Sequence, residues 1–270
     1  MTPLQKTDRL EAGRVVRIAV LGLGEAGSEI ARDLVAAGAD VRGYDPKVRY
    51  ADGVAPRADE ADAVRDADLV LSVNSSHDAM DALRHALPCV RPETIWADLN
   101  TASPGLKAAL AEAAGASIPV VDVALMAPVP GKGLRTPMLV SGAAADRYAA
   151  ILSDFGAQVA IQPGPAGAAI SRKLLRSVFY KGLAAAVVEA MAAAEAAGCA
   201  DWLRDNISSE LAGFDQRTID RLIDGTHQHA RRRADEMTAA AEQLEELGVP
   251  ARISAATRDL LIDLRDKGGR

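Results

Sequence analysis

The sequence predicts an α/β protein in which a doubly wound parallel sheet is followed by an all-helical region, with a long helix joining the two. Three observations predict this arrangement. A short apolar strand runs into a glycine-rich turn and an amphipathic helix near the start of the chain. Apolar runs and helical patterns then alternate up to about residue 163, and strand patterns stop beyond Gly164. Such alternation is typical of a parallel sheet with helices on both faces.

Length, charge and cysteine content limit the class of protein. The 270 residues suffice for one or two domains, and the formal net charge of −6 argues against nucleic acid as the main partner. Cys89 and Cys199 lie far apart, which favours a reducing cytoplasm over a disulfide framework. The first residues lack the apolar segment of a signal peptide. Because Glu189 and Glu195 interrupt the alanine-rich stretch, we expect no membrane span.

The first element is an apolar, β-branched run at Val15–Leu21, typical of a buried parallel strand. It leads into a glycine motif at residues 22–27 and a helix that ends near Gly38. In a dinucleotide-binding turn, the first glycine permits the tight turn, the second lets the backbone approach a pyrophosphate, and the third lets the helix pack on the strand. The residues expected to contact NAD or NADP here are Gly22, Leu23, Gly24, Glu25, Ala26 and Gly27.

The second predicted strand, Asp40–Tyr44, ends next to Asp45, which stands about 20 residues after the glycine motif. A carboxylate at this place accepts hydrogen bonds from the adenosine ribose and repels a 2′-phosphate, so it favours NAD over NADP. Lys47 and Arg49 follow closely. They leave NADP open, since they could hold that phosphate, although both also fit plain surface charge.

The alternation continues through the remaining strands of the sheet. Strands are predicted at Asp68–Val73, Thr94–Leu99, Ile118–Val123, Met138–Ser141 and 157–161, with helices near 79–87, after 102 and at 145–154. Ligands of such sheets bind outside the carboxyl ends of the strands. Asn74 and Thr101 follow two of these ends, so both are predicted cofactor contacts; capping of the next helix explains them equally well.

The longest predicted helix runs from Gly164 to Gly198 and would be on the order of 45 Å long. Its second half is alanine and valine on nearly every side, which predicts burial all round. In its first half Lys173, Ser177 and Lys181 recur every four residues and share one face, either as a solvated end or as the floor of a site. Further helices are predicted at 200–212, 214–225, 227–247 and 251–265.

The glycine motif, combined with Gly164, Gly167 and Lys173 on the long helix, resembles the β-hydroxyacid dehydrogenases. These include hydroxyisobutyrate and phosphogluconate dehydrogenases and tartronate semialdehyde reductases. The resemblance covers most of the chain, including Leu247–Pro250 near the last helices. The polar residues 1–14 indicate a flexible extension, and the loss of strand patterns divides the rest into 15–163 and 164–270. The resemblance implies that 15–163 is a Rossmann-like dinucleotide-binding domain and 164–270 a helical substrate and dimerisation domain. It also implies a homodimer, with Lys173 as the general acid/base.

The chain departs from this family where the substrate binds. Four residues past the lysine the family usually has an asparagine that orients the substrate; here Ser177 stands there and takes its catalytic place. The loop after Asp122 lacks the serine and paired glycines that hold a carboxylate, and Met126 stands roughly where that serine would. We therefore expect a divergent branch with an altered substrate loop, in which Met126, Pro128 and Lys181 contact the substrate.

The resemblance implies a cytoplasmic NAD(P)-dependent oxidoreductase. It would move a hydride between nicotinamide and a hydroxy acid or a related alcohol/carbonyl pair. One alternative is an NAD(P)-binding protein without turnover, which the altered loop motivates. Another is an imine or carbonyl reductase, although relatives that reduce imines usually lack the lysine. His227 and His229 precede Arg231–Arg233, either to meet an acidic substrate or as a solvated face. No histidine or cysteine spacing predicts a metal site.

Overall fold

The computed structural model describes residues 15–48 and 51–268 of the chain. The predicted extension at 1–14 and the alternative phosphate ligand Arg49 lie outside these described residues. The chain divides into two compact units, and the division falls between Leu175 and Arg176, within the long helix. This division reflects compactness, so the functional boundary predicted after residue 163 stays a prediction.

The first unit contains one sheet of eight strands in the order β3-β2-β1-β4-β5-β6-β7-β8. Neighbouring strands are parallel except β6 and β7, which are antiparallel. The strands are β1 (Arg17–Leu21), β2 (Asp40–Tyr44), β3 (Ala55–Pro56), β4 (Leu69–Ser72), β5 (Ile95–Asp98), β6 (Val120–Leu125), β7 (Met138–Gly142) and β8 (Val159–Ile161). The predicted α/β class with a mostly parallel sheet is confirmed.

Five helices connect the strands of this unit. They are α1 (Glu25–Ala36), α2 (Glu60–Val64), α3 (Ala79–Ala86), α4 (Pro104–Ala114) and α5 (Ala145–Asp154). The predicted strands and helices up to residue 161 form within a few residues of their expected bounds. Strand β3 and helix α2 were not predicted, because a strand of two residues ending in proline leaves no apolar run to detect.

Both faces of the sheet are covered, which explains why its strands are continuously apolar. Along β1, Ile18 and Val20 belong to one hydrophobic cluster. Ala19 and Leu21, which alternate with them, belong to a second cluster on the opposite face. A strand that is buried on both sides therefore lacks the alternation of apolar and polar residues.

The strand order reverses between β1 and β4. From β1 the chain first builds β2 and β3 on one side and then crosses to β4 on the other side. In open sheets of this kind, ligands bind in the crevice outside the carboxyl ends at such a reversal. Gly22 follows β1, Asn74 follows β4 and Thr101 follows β5, so the fold places all three at this edge.

The second unit is helical throughout its described residues. Helix α6 (Ala168–Ala196) begins in the first unit and is followed by α7 (Ala200–Ala212), α8 (Gln216–Gln228), α9 (Ala230–Glu246) and α10 (Arg252–Gly268). The predicted all-helical region and its joining helix are confirmed.

Glu189 ties α6 to the start of α10. Its carboxylate accepts hydrogen bonds of 2.7 Å from the backbone N–H groups of Ile253 and Ser254 and from the Ser254 hydroxyl. Burial raises the pKa of Glu189, but these donors outweigh it and hold its pKa below the usual value. The cap therefore contributes stability above the ordinary pKa of a glutamate, and the contribution is lost as pH falls through the lowered value.

The composition of the second half of α6 predicted that it is buried on all sides, and the structure shows that it is not. Val188 is 70% exposed, and Ala184 and Ala186 are exposed as well. The next helix, α7, has no buried residue. An apolar composition predicts that the faces of a helix avoid water, but it does not identify what covers them. Within the described part of this chain, these faces of α6 and α7 are exposed to solvent.

Helix α6 is also long and apolar enough, by length and composition, to cross a membrane, and no other described helix meets this test. The charged residues that interrupt the helix leave its mean hydropathy high enough for this test, and the expectation of no membrane span stays a prediction. A single helix of this kind is weak evidence of a membrane span, since core helices of soluble proteins have the same composition.

Candidate active site

The glycine motif forms a tight turn between β1 and α1. Gly22 has a φ of +97°, which favours glycine, and an added Cβ there would lie 2.6 Å from the Val73 carbonyl oxygen. At Gly27 an added Cβ would collide with the carbonyl oxygen of Gly22. A Cβ on Gly24, in contrast, would meet nothing within 4 Å. Two of the three glycines are therefore needed by the fold itself, while the space over Gly24 is open.

The start of α1 is suited to an anion. The helix begins at Glu25 after Gly24, and no side-chain hydrogen bond from the described residues caps it. Its first N–H groups and the positive end of its dipole therefore face the open space over Gly24. Leu23 is buried, Ala26 is half-buried and Glu25 is exposed. This turn fits the pyrophosphate of a dinucleotide, which needs close backbone approach and free N–H donors.

Asp45 lines a cavity of about 430 Å³. The other lining residues are Leu23, Gly43, Tyr44, Pro46, Val48, Pro56, Arg57 and Ala58. Asp45 Oδ2 accepts a hydrogen bond of 2.8 Å from Leu23 N, and Oδ1 accepts from Lys47 N at 2.7 Å and Val48 N at 2.9 Å. Burial raises the pKa of Asp45, but these donors and the Lys47 charge outweigh it, so the pKa lies below the usual value. A fixed carboxylate therefore borders this cavity.

Arg57 is a cavity residue that the sequence analysis missed. It lines the same cavity as Asp45, and its Nε is buried with no hydrogen-bond partner among the described residues. A guanidinium in this position is suited to stack on an adenine ring or to bind a phosphate. It follows β3, the strand without a recognisable pattern, so no sequence signal pointed to it. Lys47 is exposed to solvent.

Asn74 and Thr101 do not cap the helices that follow them. The residues at those N-cap positions are Asp78 and Ser103. The Asn74 side-chain oxygen instead accepts hydrogen bonds from Ser72 Oγ at 2.9 Å and Asn100 Nδ2 at 2.8 Å. Asn74 is thereby fixed by a polar network at the carboxyl ends of β4 and β5.

Lys173 reaches this same edge from α6. It lies in the second turn of the helix, is half-buried, and its Nζ donates a hydrogen bond of 2.9 Å to Thr101 Oγ1. Both residues belong to the first unit. Ser177 and Lys181 follow one and two turns further along α6, beyond the division between the units; Ser177 is half-buried and Lys181 is exposed. The structure therefore joins Lys173 to Thr101, the predicted cofactor contact after β5.

Met126 lies beside the same turn of α6. It is half-buried and packs in an apolar cluster that includes Ile170 and Leu174, the neighbour of Lys173. Pro128, also predicted to contact substrate, is exposed two residues further on. An apolar thioether therefore stands near the lysine where the family places a hydroxyl.

The loop that continues from Met126 is attached to α1. Gly131 N donates to Glu29 Oε2 at 3.0 Å, and Leu134 N donates to Asp33 Oδ2 at 2.8 Å. Two acidic side chains on the helix of the glycine motif thus fix the backbone of the predicted substrate loop. No local sequence pattern predicts these contacts, because they join residues far apart in the chain.

Elsewhere in the described part of the chain, no group of three or more histidine, cysteine, aspartate or glutamate residues is placed to hold a metal ion. His227 and His229 are exposed. Of the neighbouring arginines, Arg232 pairs with Glu236 at 2.8 Å and Arg233 donates to Thr226 Oγ1 at 2.6 Å. These contacts make the basic cluster part of the packing and surface of α8 and α9.

Two family models match the chain. The model described as the NAD binding domain of 6-phosphogluconate dehydrogenase matches residues 17–163. A second model, described as a domain of unknown function (DUF1932), matches residues 194–263. The first match runs from β1 to the end of β8 and covers more than half of the chain.

Solved structures are similar over nearly the whole chain. A conserved hypothetical protein from Sinorhizobium meliloti 1021 is 31% identical, covering 93% of this chain and 88% of that one, with a TM-score of 0.61. A 3-hydroxyisobutyrate dehydrogenase from Mycobacterium tuberculosis is 22% identical, covering 93% and 94%, with a TM-score of 0.64. An imine reductase from Streptomyces aurantiacus is 20% identical, covering 93% and 95%, with a TM-score of 0.75. The last two likenesses show a shared fold.

These matches confirm the resemblance on which the sequence analysis relied. The cofactor domain is of the expected type, and the helical region carries a domain whose function is not described. The chain therefore belongs to the 6-phosphogluconate and 3-hydroxyacid dehydrogenase-like proteins, in which an NAD(P)-binding domain precedes a helical domain.

Proposed function

We propose that the protein is an NAD(P)-dependent oxidoreductase that moves a hydride between nicotinamide and a hydroxy acid or a related alcohol/carbonyl pair. The observation that supports this most is the hydrogen bond of 2.9 Å between Lys173 Nζ and Thr101 Oγ1. It brings an amine to the carboxyl edge of the sheet, where the glycine motif also lies. The bound cofactor would supply the hydride, and the chain would supply orientation and a proton.

Lys173 is the proton donor in this proposal. A lysine side chain is ordinarily an ammonium at neutral pH, and an ammonium has three donors. Thr101 Oγ1 accepts one hydrogen bond from this amine, which positions it at the carboxyl edge of the sheet where the substrate oxygen would bind. When a carbonyl is reduced, Lys173 gives its proton to the oxygen as hydride adds to the carbon. In the oxidation direction it takes that proton back.

The remaining predicted site residues would shape the substrate pocket. Met126 and Leu174 give the turn that carries Lys173 an apolar side, which keeps water from the substrate carbon. Ser177 stands where the family has an orienting asparagine, so we assign it a hydrogen bond to the substrate. Lys181, two turns beyond Lys173, would bind an anionic substrate group, and Pro128 stays a proposed substrate contact.

We propose NAD as the preferred cofactor, because a 2′-phosphate would lie next to the fixed carboxylate of Asp45. Two negative charges about 4 Å apart repel by about 1 to 4 kcal/mol. Titration of the protein's fluorescence should therefore show NADH binding about tenfold or more tighter than NADPH. In Asp45→Asn the preference should shrink. Tighter binding of NADPH by the wild type would overturn this choice and make Arg57 the residue that holds the phosphate.

The test of the proposed function is a substrate panel read at the NADH absorbance band. Hydroxy acids, sugar acids, semialdehydes and cyclic imines should each be offered with NAD(H) and NADP(H). Turnover of a hydroxy or carbonyl compound supports the proposal. Tight NADH binding without turnover of any compound would favour the alternative of a binding protein. Turnover of imines alone would favour imine reduction, an activity that the name of one structural relative describes.

We also propose that the chain is a homodimer whose second copy covers the apolar surface of α6–α8. On α8, Ile219, Leu222 and Ile223 share one face and are 62%, 44% and 53% exposed. Large apolar side chains are exposed on α6 and α7 as well, and exposed apolar surface of this kind is typical of an interface. Light scattering without detergent should give twice the chain mass of 28.2 kDa. A monomer, or partition of the protein into vesicles, would contradict the dimer.

A soluble, cytoplasmic protein fits these proposals. The first unit has the fold of the NAD(P)-dependent dehydrogenases, which are soluble, and this favours a second copy over a membrane as the cover of α6. Cys89 and Cys199 are both free thiols, as a reducing compartment would keep them. Fractionation of cells that make the protein should therefore recover it in the cytosol.

A further inference from the structure

A buried lysine in the first unit has no part in the proposed proton transfer. Lys107, on α4, is fully buried. Its Nζ donates to Asp98 Oδ2 at 2.6 Å and to the Asp98 carbonyl at 2.7 Å, and it lies 3.2 Å from Asp122 Oδ1 in an ion pair without hydrogen-bond alignment. Asp98 and Asp122 are also fully buried. The Lys107 ammonium therefore joins two carboxylates, that of Asp98 at the end of β5 and that of Asp122 within β6.

The second oxygen of Asp122 holds the start of the long helix. Asp122 Oδ2 accepts hydrogen bonds from Gly167 N at 3.1 Å and Ile170 N at 2.9 Å. Ser141 Oγ donates to the same oxygen at 3.3 Å and accepts from Ala169 N at 2.9 Å. The first N–H groups of α6 are thus satisfied by buried side chains from β6 and β7, and a negative charge lies at the positive end of the helix dipole.

The first oxygen of Asp98 joins the cluster to the cofactor edge. Asn100 Nδ2 donates to Asp98 Oδ1 at 2.5 Å and to Asn74 Oδ1 at 2.8 Å. Thr101, the partner of Lys173, is the next residue after Asn100. Lys107 therefore holds both ends of the Lys173–Thr101 contact: the end of β5 through Asp98, and the start of α6 through Asp122.

We propose that Lys107 is the positioning residue of this site, which sets the place of Lys173 against Thr101 by bridging Asp98 and Asp122. The inference rests on the proposed role of Lys173, but the geometry that it concerns exists without any substrate. A buried charge whose partner is removed forces its surroundings to rearrange. Loss of the Lys107 ammonium leaves two carboxylates facing each other, so the strand end and the helix start are expected to move apart.

The test follows the amine of Lys173 directly. The lysine amines are labelled by reductive methylation with ¹³C-formaldehyde and observed by NMR. The Lys173 signal is assigned by its loss in Lys173→Arg. In the wild type we expect this signal to be resolved from those of exposed lysines. In Lys107→Met the chemical shift of the Lys173 signal should move to that of the exposed lysines. If Lys107→Met folds and the Lys173 signal stays in place, the proposal is wrong.

Two further variants separate positioning from stability. Leu110 lies on the same helix and is fully buried in an apolar cluster. Leu110→Ala makes a cavity there but keeps the Lys107, Asp98 and Asp122 side chains, so it should lower Tm yet leave the Lys173 signal in place. Asp122→Asn keeps the Lys107–Asp98 pair, so it decides the question where Lys107→Met does not fold. An unchanged Lys173 signal in Asp122→Asn would then overturn the proposal.

Kinetics provide a second readout once a substrate is found. A misplacement of about 1 Å costs about 100-fold in rate, so kcat of Lys107→Met should fall by about that factor. The dissociation constant of NADH should change much less than kcat, because the glycine motif and Asp45 are untouched and, of the predicted cofactor contacts, only Asn74 and Thr101 lie next to the cluster. If no compound is turned over, the proposed function fails while the Lys173 signal still tests the positioning role.

Discussion

Lys173→Met is expected to lower kcat by about 10²- to 10⁴-fold, the range contributed by general acid–base catalysis. Methionine keeps the apolar stem of the side chain but removes the amine that donates to Thr101 Oγ1. NADH binding should be largely retained, since the substitution leaves the glycine motif and Asp45 unaltered. Fluorescence titration with NADH and stopped-flow turnover with the same protein sample measure both quantities.

Lys181→Met is the matched control for this substitution. Lys181 lies on the same face of α6 two turns further along, is exposed, and would change by the same chemistry. Because Lys181 is proposed to bind the substrate, its loss should raise KM and leave kcat close to the wild-type value. A Lys173→Met variant with wild-type kcat would show that the amine has no role in proton transfer.

Gly24→Ala and Gly27→Ala form the second pair with large expected effects. At Gly24 an added methyl group meets no atom within 4 Å, so the fold should tolerate it. The methyl group would however fill the space assigned to the pyrophosphate, so NADH binding should be lost. At Gly27 the methyl group collides with the Gly22 backbone, so both binding and stability should fall, the latter by about 1–3 kcal/mol.

Thermal melting and NADH titration distinguish the two variants. Gly24→Ala should keep the wild-type Tm without binding NADH, whereas Gly27→Ala should lose both. Because Gly24→Ala retains the fold, its failure to bind cannot be attributed to unfolding. If Gly24→Ala bound NADH as tightly as the wild type, the pyrophosphate would have to lie elsewhere, and the placement of the cofactor would be wrong.

The sheet was predictable because burial on both faces leaves a plain pattern. Strand β2 and helix α5 have the bounds that the sequence predicts, Asp40–Tyr44 and 145–154. Gly22 and Gly27 were recognisable because backbone crowding at a tight turn excludes every other residue. Strand β3 escaped prediction, since two residues carry no periodicity, and Arg57 escaped with it.

Two features of the site depend on contacts that no local pattern reveals. Lys107 looks like a surface lysine on an alanine-rich helix, and its burial follows only when Asp98 and Asp122 meet in space. The apolar half of α6 predicted burial, yet Val188 is largely exposed in this chain. An apolar composition predicts that a helix is buried, but it does not identify the molecule or element that packs against it.

In the proposed enzyme Lys173 stands beside the reactive ring of the cofactor. A crystal structure of the protein with NADH bound would give the distance from Lys173 Nζ to the nicotinamide C4. We expect about 6 Å, which leaves room for a substrate carbon in contact with the ring and its oxygen in hydrogen-bond range of the amine. A Lys173 amine that points into bulk solvent, with the nicotinamide bound elsewhere, would contradict it.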